Sequence, residues 1–244
     1  MRGRVLAAVA AAAALAGCAT TQQEAARLQL NAARIRASEQ RTEVTAPGRA
    51  VDVTRVVRVM AGGRTAFVVQ VRNAGRQPVS DLPISVGVRV AGKRPIYVNQ
   101  QSAAELSYFG AHLPLVEAGA TLTWVYATDR RLPAHARPFA LVGGTPSNVA
   151  PRTNPLPVVR ARALAPSPAA GASPLAVSLR NLSSVPQYQL QVYAVAERAG
   201  RYVAAGSITV PHLGSNATSR LKLPILGHIG SARLQVEAAP TIFQ

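Results

Sequence analysis

The thiol of Cys18 is the side chain whose position most clearly indicates a covalent reaction, and Cys18 is the single cysteine of the chain. It follows a start that contains Arg2 and Arg4, an apolar stretch over 5–16, and then Gly17. A basic start, an apolar stretch and small residues form the order of a secretory signal peptide. We therefore expect residues 1–17 to be removed as a leader.

The residues Leu15-Ala16-Gly17-Cys18 closely resemble the lipobox of bacterial lipoproteins. The resemblance implies a diacylglycerol on the Cys18 sulfur, and with it a membrane-anchored protein outside the cytoplasm. Such a protein lies at an outer membrane or cell surface, and faces the periplasm where a second membrane exists. The apolar stretch itself is shorter than the roughly 20 residues that span a bilayer. The alternative is an ordinary cleavage site followed by an unrelated cysteine.

The remaining reactive side chains form no catalytic or metal-binding motif. None of the histidines has a second ligand at metal-binding spacing, and the nucleophile motif G-x-S-x-G is absent from the sequence. We therefore expect a non-enzymatic protein with no metal and no cofactor. The competing hypothesis is a cell-envelope hydrolase, or its regulator, that uses carboxylates of the first domain such as Asp81 and Glu105.

The chain is strongly basic, with 27 Lys and Arg against 10 Asp and Glu and a net charge of +17. Such an excess favours an anionic partner, for example the phosphates of lipid headgroups or envelope polymers. The alternative is compositional, because arginines are scattered along the chain and lysine occurs only at Lys93 and Lys222. Nucleic acid is not an expected partner, since no basic stretch is interleaved with aromatic residues.

A helical stalk is predicted between the lipidated cysteine and the first β-unit, over residues 18–46. Residues 22–41 contain neither Gly nor Pro, so they are compatible with a helix of about five turns. Arg27, Arg34 and Arg41 recur every seven residues on one stripe and are candidates for contact with lipid headgroups. The alternatives are a weak self-associating seam or a solvated spacer.

From Val51 onward the apolar residues alternate with a period of two, which indicates β-strands. The clearest alternations lie at 67–71, 82–90 and 121–128, with Gly-rich or Asn-containing turns between strands. Short strands without an amphipathic helix predict an antiparallel β-sandwich. We assign this first domain to residues 47–147.

The second half of the sequence repeats the first at an offset of 108 residues. The shift aligns Phe67 with Leu175, Asn73 with Asn181 and Gly92 with Gly200, among other core and turn residues. Two related domains are therefore predicted, with a linker over 148–154 and the second sandwich over 155–244. The expected first strand of that second domain covers 156–164.

A family resemblance supports the same fold class. The segment Val69-x-Val71-x-Asn73-x-Gly75, followed by an alternating strand and by residues 115–121, is similar to CARDB-like and other immunoglobulin-like repeats of bacterial surface proteins. The resemblance covers most of residues 50–145. It implies an all-β chain of two tandem immunoglobulin-like sandwiches that serve as extracytoplasmic binding or spacer modules, with no catalytic residues.

The repeats differ most in one loop region, which makes that region a candidate binding surface. The interval from Lys93 to Ala120 is longer than the matched interval from Arg201 to Ala217. The additional segment brings three candidate partner-binding residues, namely Tyr108, Phe109 and His112. Alternatively, these aromatic rings cover the core of their own domain. Tyr193, which has the outward phase of its strand, is a second candidate for partner binding or for packing between the domains.

These observations predict a lipid-anchored, non-catalytic module for binding or adhesion outside the cytoplasm, or an accessory subunit of a cell-envelope assembly. Its expected partners are the membrane, through the diacylglycerol on Cys18, and a protein or envelope glycan. The further alternative is an inert structural spacer.

Overall fold

The computed structural model of the protein describes residues 44–100, 108–144, 156–164 and 174–241, and these belong to one compact unit. They are almost entirely β-strand and every strand pair is antiparallel, as the sequence predicts. Cys18, the stalk and its residues Arg27, Arg34 and Arg41 lie outside the described residues. No helix within the described ranges has the length and apolarity needed to cross a bilayer.

Fourteen strands and one short 3-10 turn are described. They are β1 (Asp52–Ala61), β2 (Arg64–Arg72), β3 (Leu82–Arg89), β4 (Ile96–Tyr97), the turn η1 (Tyr108–Gly110), β5 (His112–Leu113), β6 (Thr121–Thr128), β7 (Arg137–Val142), β8 (Val159–Ala163), β9 (Leu175–Asn181), β10 (Gln187–Arg198), β11 (Arg201–Leu213), β12 (Thr218–Leu223), β13 (Leu226–Gly227) and β14 (Arg233–Ala239).

The strands form four sheets, which we name A to D. Sheet A contains β3 with β4, β5 and β7, and sheet B has the order β1-β2-β6. Sheet C has the order β13-β11-β10-β14, and sheet D has the order β12-β9-β8. Strand β2 lies between β1 and β6 in sheet B, and β9 lies between β8 and β12 in sheet D. The neighbours of β2 and β9 are therefore the strands that correspond to each other in the repeat.

The centre of sheet B is buried on both faces. Phe67 and Trp124 point from it into the core shared with sheet A, whereas Ala66, Val68 and Val125 point the other way and belong to the same buried cluster as side chains of sheet C. A second cluster fills the space between sheets C and D. The four sheets therefore stack in the order A, B, C, D.

The turns that follow β2 and β9 are built in the same way. The Asn73 side-chain amide donates to the carbonyl oxygens of Gln77 at 2.8 Å and Val116 at 3.1 Å, and its Oδ1 accepts from the Gly75 amide. Asn181 makes the matching bonds to Val185 at 2.9 Å and Gly214 at 3.0 Å. Each asparagine thus satisfies backbone groups that the end of the strand leaves without a partner.

One edge of sheet A departs from the repeat. In sheet C, the thirteen-residue strand β11 runs along β10, but the corresponding edge of β3 is divided between β4 and β5. The Asn99 side chain fills the break, since it accepts from the Val86 amide at 2.9 Å and donates to the carbonyls of Ile84 and Gly110. Strand β4 accordingly has only two residues, and β8 is shorter than the predicted 156–164.

Polar contacts from both outer strands of sheet B hold the two halves of the chain together. Arg55 of sheet B pairs with Glu197 of sheet C at 3.0 Å, donates to the Gly200 carbonyl, and lies 4.4 Å from the centre of the Tyr202 ring. The Thr123 amide donates to Glu237 Oε2 at 3.3 Å. Glu197 and Glu237 are the only acidic residues of the C-terminal half, so this interface uses both of them.

Candidate functional site

The outer face of sheet D carries a cluster of positive charge, because the cationic residues of its strands share one phase of the alternation. The inward residues of the sheet, such as Val177, Leu179 and Leu223, are buried against sheet C. The outward positions hold five exposed cations, and we call their surface the basic face: Arg160, Arg162, Arg180, Arg220 and Lys222.

Strand register brings these charges close together. Arg160 lies directly opposite Arg180 on the neighbouring strand, and Arg162 and Arg220 both lie opposite Ser178. Cross-strand partners have Cβ atoms about 5 Å apart, and like charges in such pairs destabilise a sheet. The fold therefore keeps an arrangement of charges that opposes its own stability.

No acidic residue offsets this charge among the described residues of sheet D. The two ion pairs found in the described part of the chain are Arg55–Glu197 and Arg64–Asp129, and neither involves the basic face. The guanidinium and ammonium groups are therefore turned toward solvent and available to an anionic partner.

The equivalent face of sheet B shows how the two halves differ. There Arg72 lies opposite Asp52, so the row that matches Arg160 and Arg180 is neutral. Val125 of sheet B corresponds to Lys222 of sheet D in the repeat, and it is buried against sheet C. One copy of the repeat thus uses this face for packing, and the other copy leaves it open and positively charged.

A simpler explanation is that the basic face is a polar cap, which stops a further sheet from adding to the stack. A cap requires polar residues, and a mixture of both signs or neutral side chains serves as well. It does not require five cations without an acid, nor two cations, Arg160 and Arg180, directly opposite each other on neighbouring strands. The cap explanation therefore accounts for the polarity of the face but not for its charge.

Exposed apolar side chains border the basic face. Five large hydrophobic residues of the described chain are exposed, and four of them lie at the ends of β8 or in the turn after β9: Val158 (49%), Leu164 (39%), Leu182 (36%) and Val185 (47%). The Leu182 amide donates to the Val158 carbonyl at 2.8 Å, so these two residues are adjacent. We call these four residues the aliphatic rim.

The predicted binding loop lies at the broken edge of sheet A. Phe109 is 7% exposed, and its carbonyl oxygen accepts a hydrogen bond from Trp124 Nε1 at 3.2 Å. Tyr108 begins the turn η1. Burial lowers the pKa of His112, and the nearby charge of Asp81 acts in the opposite direction. The three predicted residues, Tyr108, Phe109 and His112, thus lie next to one another at this edge. Phe109, however, is buried and offers little surface to a partner.

Tyr193 lies in the B–C interface, where it is 2% exposed and belongs to the buried cluster shared with sheet B. Its hydroxyl has no hydrogen-bond partner among the described residues. Burial, with a smaller effect from the charge of Glu237, raises its pKa well above the usual value. Tyr193 therefore packs between the two halves of the chain and is not exposed for binding a partner.

Among the described residues, the carboxylates of the first domain form no metal-binding cluster. In the parts of the chain that are described, no group of three or more His, Cys, Asp or Glu side chains could hold a metal ion. Asp129 pairs with Arg64 at the surface, and Glu105 lies outside the described residues.

Sequence reasoning missed the basic face, although a signal for it was present. The segments Arg160-Ala-Arg162 and Arg220-Leu-Lys222 place cations at alternate positions of predicted strands. Counting charges in consecutive runs overlooks such a pattern. Combining strand phase with the predicted pairing of 159–163, 175–181 and 218–223 would have grouped these charges.

Comparison with known proteins adds no match: no family model fits the sequence, and no curated protein is significantly similar to it. The similarity to CARDB-like repeats therefore stays a prediction from the residues themselves.

The like-charge pair makes a prediction about stability. Arg180→Thr removes the repulsion with Arg160, so we expect the free energy of unfolding to rise by about 0.2–1 kcal/mol. Arg72→Thr is the matched control, because it makes the same substitution opposite Asp52 and should give no such gain. Urea denaturation at low salt measures both, and the difference between the variants should shrink as salt screens the charges. Equal effects of the two substitutions at low salt would contradict this interpretation.

Proposed function

We propose that the protein is a lipid-anchored, non-catalytic binding module outside the cytoplasm, which holds a phosphate-bearing surface of the cell envelope on its basic face. The observation that carries the proposal is the group of five exposed cations on sheet D, with no acid among the described residues of that sheet. The module acts by binding, as an accessory component of an envelope assembly, and uses neither a metal nor a cofactor.

The composition of the basic face favours phosphate as the group that is bound. Four of its five cations are arginines, and the planar guanidinium group donates two parallel hydrogen bonds to a phosphate. Small or short side chains, Ala176, Ser178 and Thr218, separate the cations. An open sheet with charges fixed on strands suits an extended anionic surface better than a small enclosed ligand.

We further propose that the two halves are tandem immunoglobulin-like sandwiches, carried by a stalk and anchored at Cys18. The shared strand order of sheets B and D and the matching turns at Asn73 and Asn181 support a repeated domain. The lipobox-like residues Leu15 to Cys18 support the anchor. Two or three acyl chains would hold the protein stably at a membrane, where one chain would not.

The anchor is tested by mass spectrometry of the protein extracted from membranes of the producing cells. We expect an N-terminal Cys18 that carries the mass of diacylglycerol on its sulfur. A free Cys18 thiol, or a chain that begins at another residue, would contradict the lipid anchor without affecting the basic face.

The binding surface is tested with inorganic polyphosphate and the mature chain, residues 18–244, carrying Cys18→Ser, so that neither leader nor lipid is attached. Replacing Arg160, Arg180 and Arg220 by Ser should weaken binding by about tenfold or more, since each exposed ion pair contributes up to ~1 kcal/mol.

The matched control for this experiment replaces three exposed arginines of the N-terminal half by Ser, at Arg76, Arg94 and Arg131. It removes the same net charge and should retain most of the affinity. Equal losses in the two triple variants would show that binding follows net charge alone, and the basic face would then not be the site.

A further inference from the structure

We infer that the phosphate surface bound by the basic face belongs to a lipid bilayer, so that sheet D provides a membrane contact besides the anchor at Cys18. This inference rests on the function proposed above. It is carried by the juxtaposition of the five cations with the aliphatic rim of Val158, Leu164, Leu182 and Val185.

The aliphatic rim distinguishes a bilayer from a soluble polyanion. Polyphosphate and anionic glycans offer phosphate or carboxylate groups but no hydrocarbon. A bilayer presents phosphates with an apolar layer directly beneath them, and peripheral proteins use cations together with aliphatic side chains at that boundary. Exposed apolar residues that gather in one place also mark interaction sites more often than isolated ones do.

The arrangement along β8 fits such a boundary. Val158, Arg160, Arg162 and Leu164 have the same outward phase, so each end of the strand presents an aliphatic side chain and its centre presents two guanidinium groups. Leu182 lies beside Val158, and the Leu164 amide donates to the carbonyl of Ala176 on β9 at 2.9 Å. The cations therefore lie between apolar contacts at both ends of the sheet.

The absence of aromatic side chains from the outer positions of the described strands of sheet D argues against a sugar or nucleic-acid partner. Aromatic rings provide the stacking by which proteins hold bases. Mobile lipid headgroups can adapt to a row of fixed cations without a complementary shape.

The chain between the anchor and the described residues is long enough for both contacts to reach one bilayer. Val44 lies against sheet A, where its amide donates to Ser85 Oγ at 3.0 Å, and sheet D is at the other end of the stack. Four stacked sheets span roughly 30 Å between the outermost pair. With residues 22–41 helical, as the sequence predicts, residues 19–43 reach roughly 45 Å, so the linker does not prevent the contact.

The contact between sheet D and a membrane is weak by itself. It becomes sufficient when the anchor at Cys18 already holds the protein at the same membrane. Each Lys or Arg near an anionic bilayer contributes about fivefold to binding, and three contribute about 100-fold. The anchor at Cys18 raises the local concentration of the face at the membrane, so a modest affinity is sufficient to hold sheet D there.

The test uses the mature chain, residues 18–244, with Cys18→Ser and sedimentation with vesicles of phosphatidylcholine, with and without phosphatidylglycerol. We expect binding to the anionic vesicles only, weakened about 100-fold by Arg160→Ser, Arg180→Ser and Arg220→Ser together. The N-terminal triple variant at Arg76, Arg94 and Arg131 should bind much as the unsubstituted chain does.

A second pair of variants isolates the aliphatic rim. Val158→Ser with Leu182→Ser should reduce vesicle binding while leaving polyphosphate binding unchanged, whereas Met60→Ser, at the fifth exposed apolar residue, should change neither. Far-ultraviolet circular dichroism checks that each variant is folded.

The outcomes separate this inference from the proposed function. Binding to polyphosphate without binding to anionic vesicles, or an unaltered affinity of the rim variant for vesicles, would overturn the bilayer contact and leave the basic face as a polyanion site. Stronger binding to polyglutamate than to vesicles would replace the bilayer by an acidic protein. Binding to none of these partners would overturn both proposals.

Discussion

The side chains on both faces of strand β2 are out of water, with Phe67 and Val69 on one side and Ala66 and Val68 on the other. A strand in an ordinary sandwich buries one face and leaves the other to solvent. Here the second face is covered by sheet C, so the two halves of the chain share a buried surface. The remaining features of the molecule follow from this packing, because it decides which face of each repeat is left open.

One consequence concerns charge. Burial of the B–C interface places Glu197 opposite Arg55 and brings Glu237 to the Thr123 amide. Burial raises the pKa of Glu237, and the hydrogen bond from Thr123 opposes that shift. The C-terminal half therefore has no acid left for its outer sheet, and the cations of sheet D face solvent without compensation. A surface that accepts internal repulsion is typical of sites where binding is favoured at some cost to stability.

Much of the fold could be predicted from the sequence, because apolar residues at every second position indicate a strand. The strand at Leu82 to Arg89 and the turns at Asn73 and Asn181 are examples. The division of one sheet edge into β4 and β5 could not be predicted, since it depends on the Asn99 side chain replacing backbone partners that are distant in sequence. Nor does alternation alone say what covers an apolar outward position such as Val68.

The basic face illustrates the same limit for function. Its cations come from three segments, at 160–162, 180 and 220–222, and only strand register joins them. Along the sequence they are scattered, which is also what a purely compositional excess of arginine would give. Tyr108 and Phe109, in contrast, are adjacent in sequence and therefore form an evident candidate site. In the structure Phe109 is buried.

The chain contains two lysines, and they allow the most direct measurement of where an anionic bilayer binds. Lys222 lies on the basic face, whereas Lys93 lies in the turn between β3 and β4, and both are exposed. Acylation with a water-soluble amine reagent, quantified by peptide mass spectrometry, should show Lys222 protected by phosphatidylglycerol vesicles and Lys93 unchanged. Equal protection of both lysines, or protection of neither under conditions of binding, would contradict a contact through sheet D.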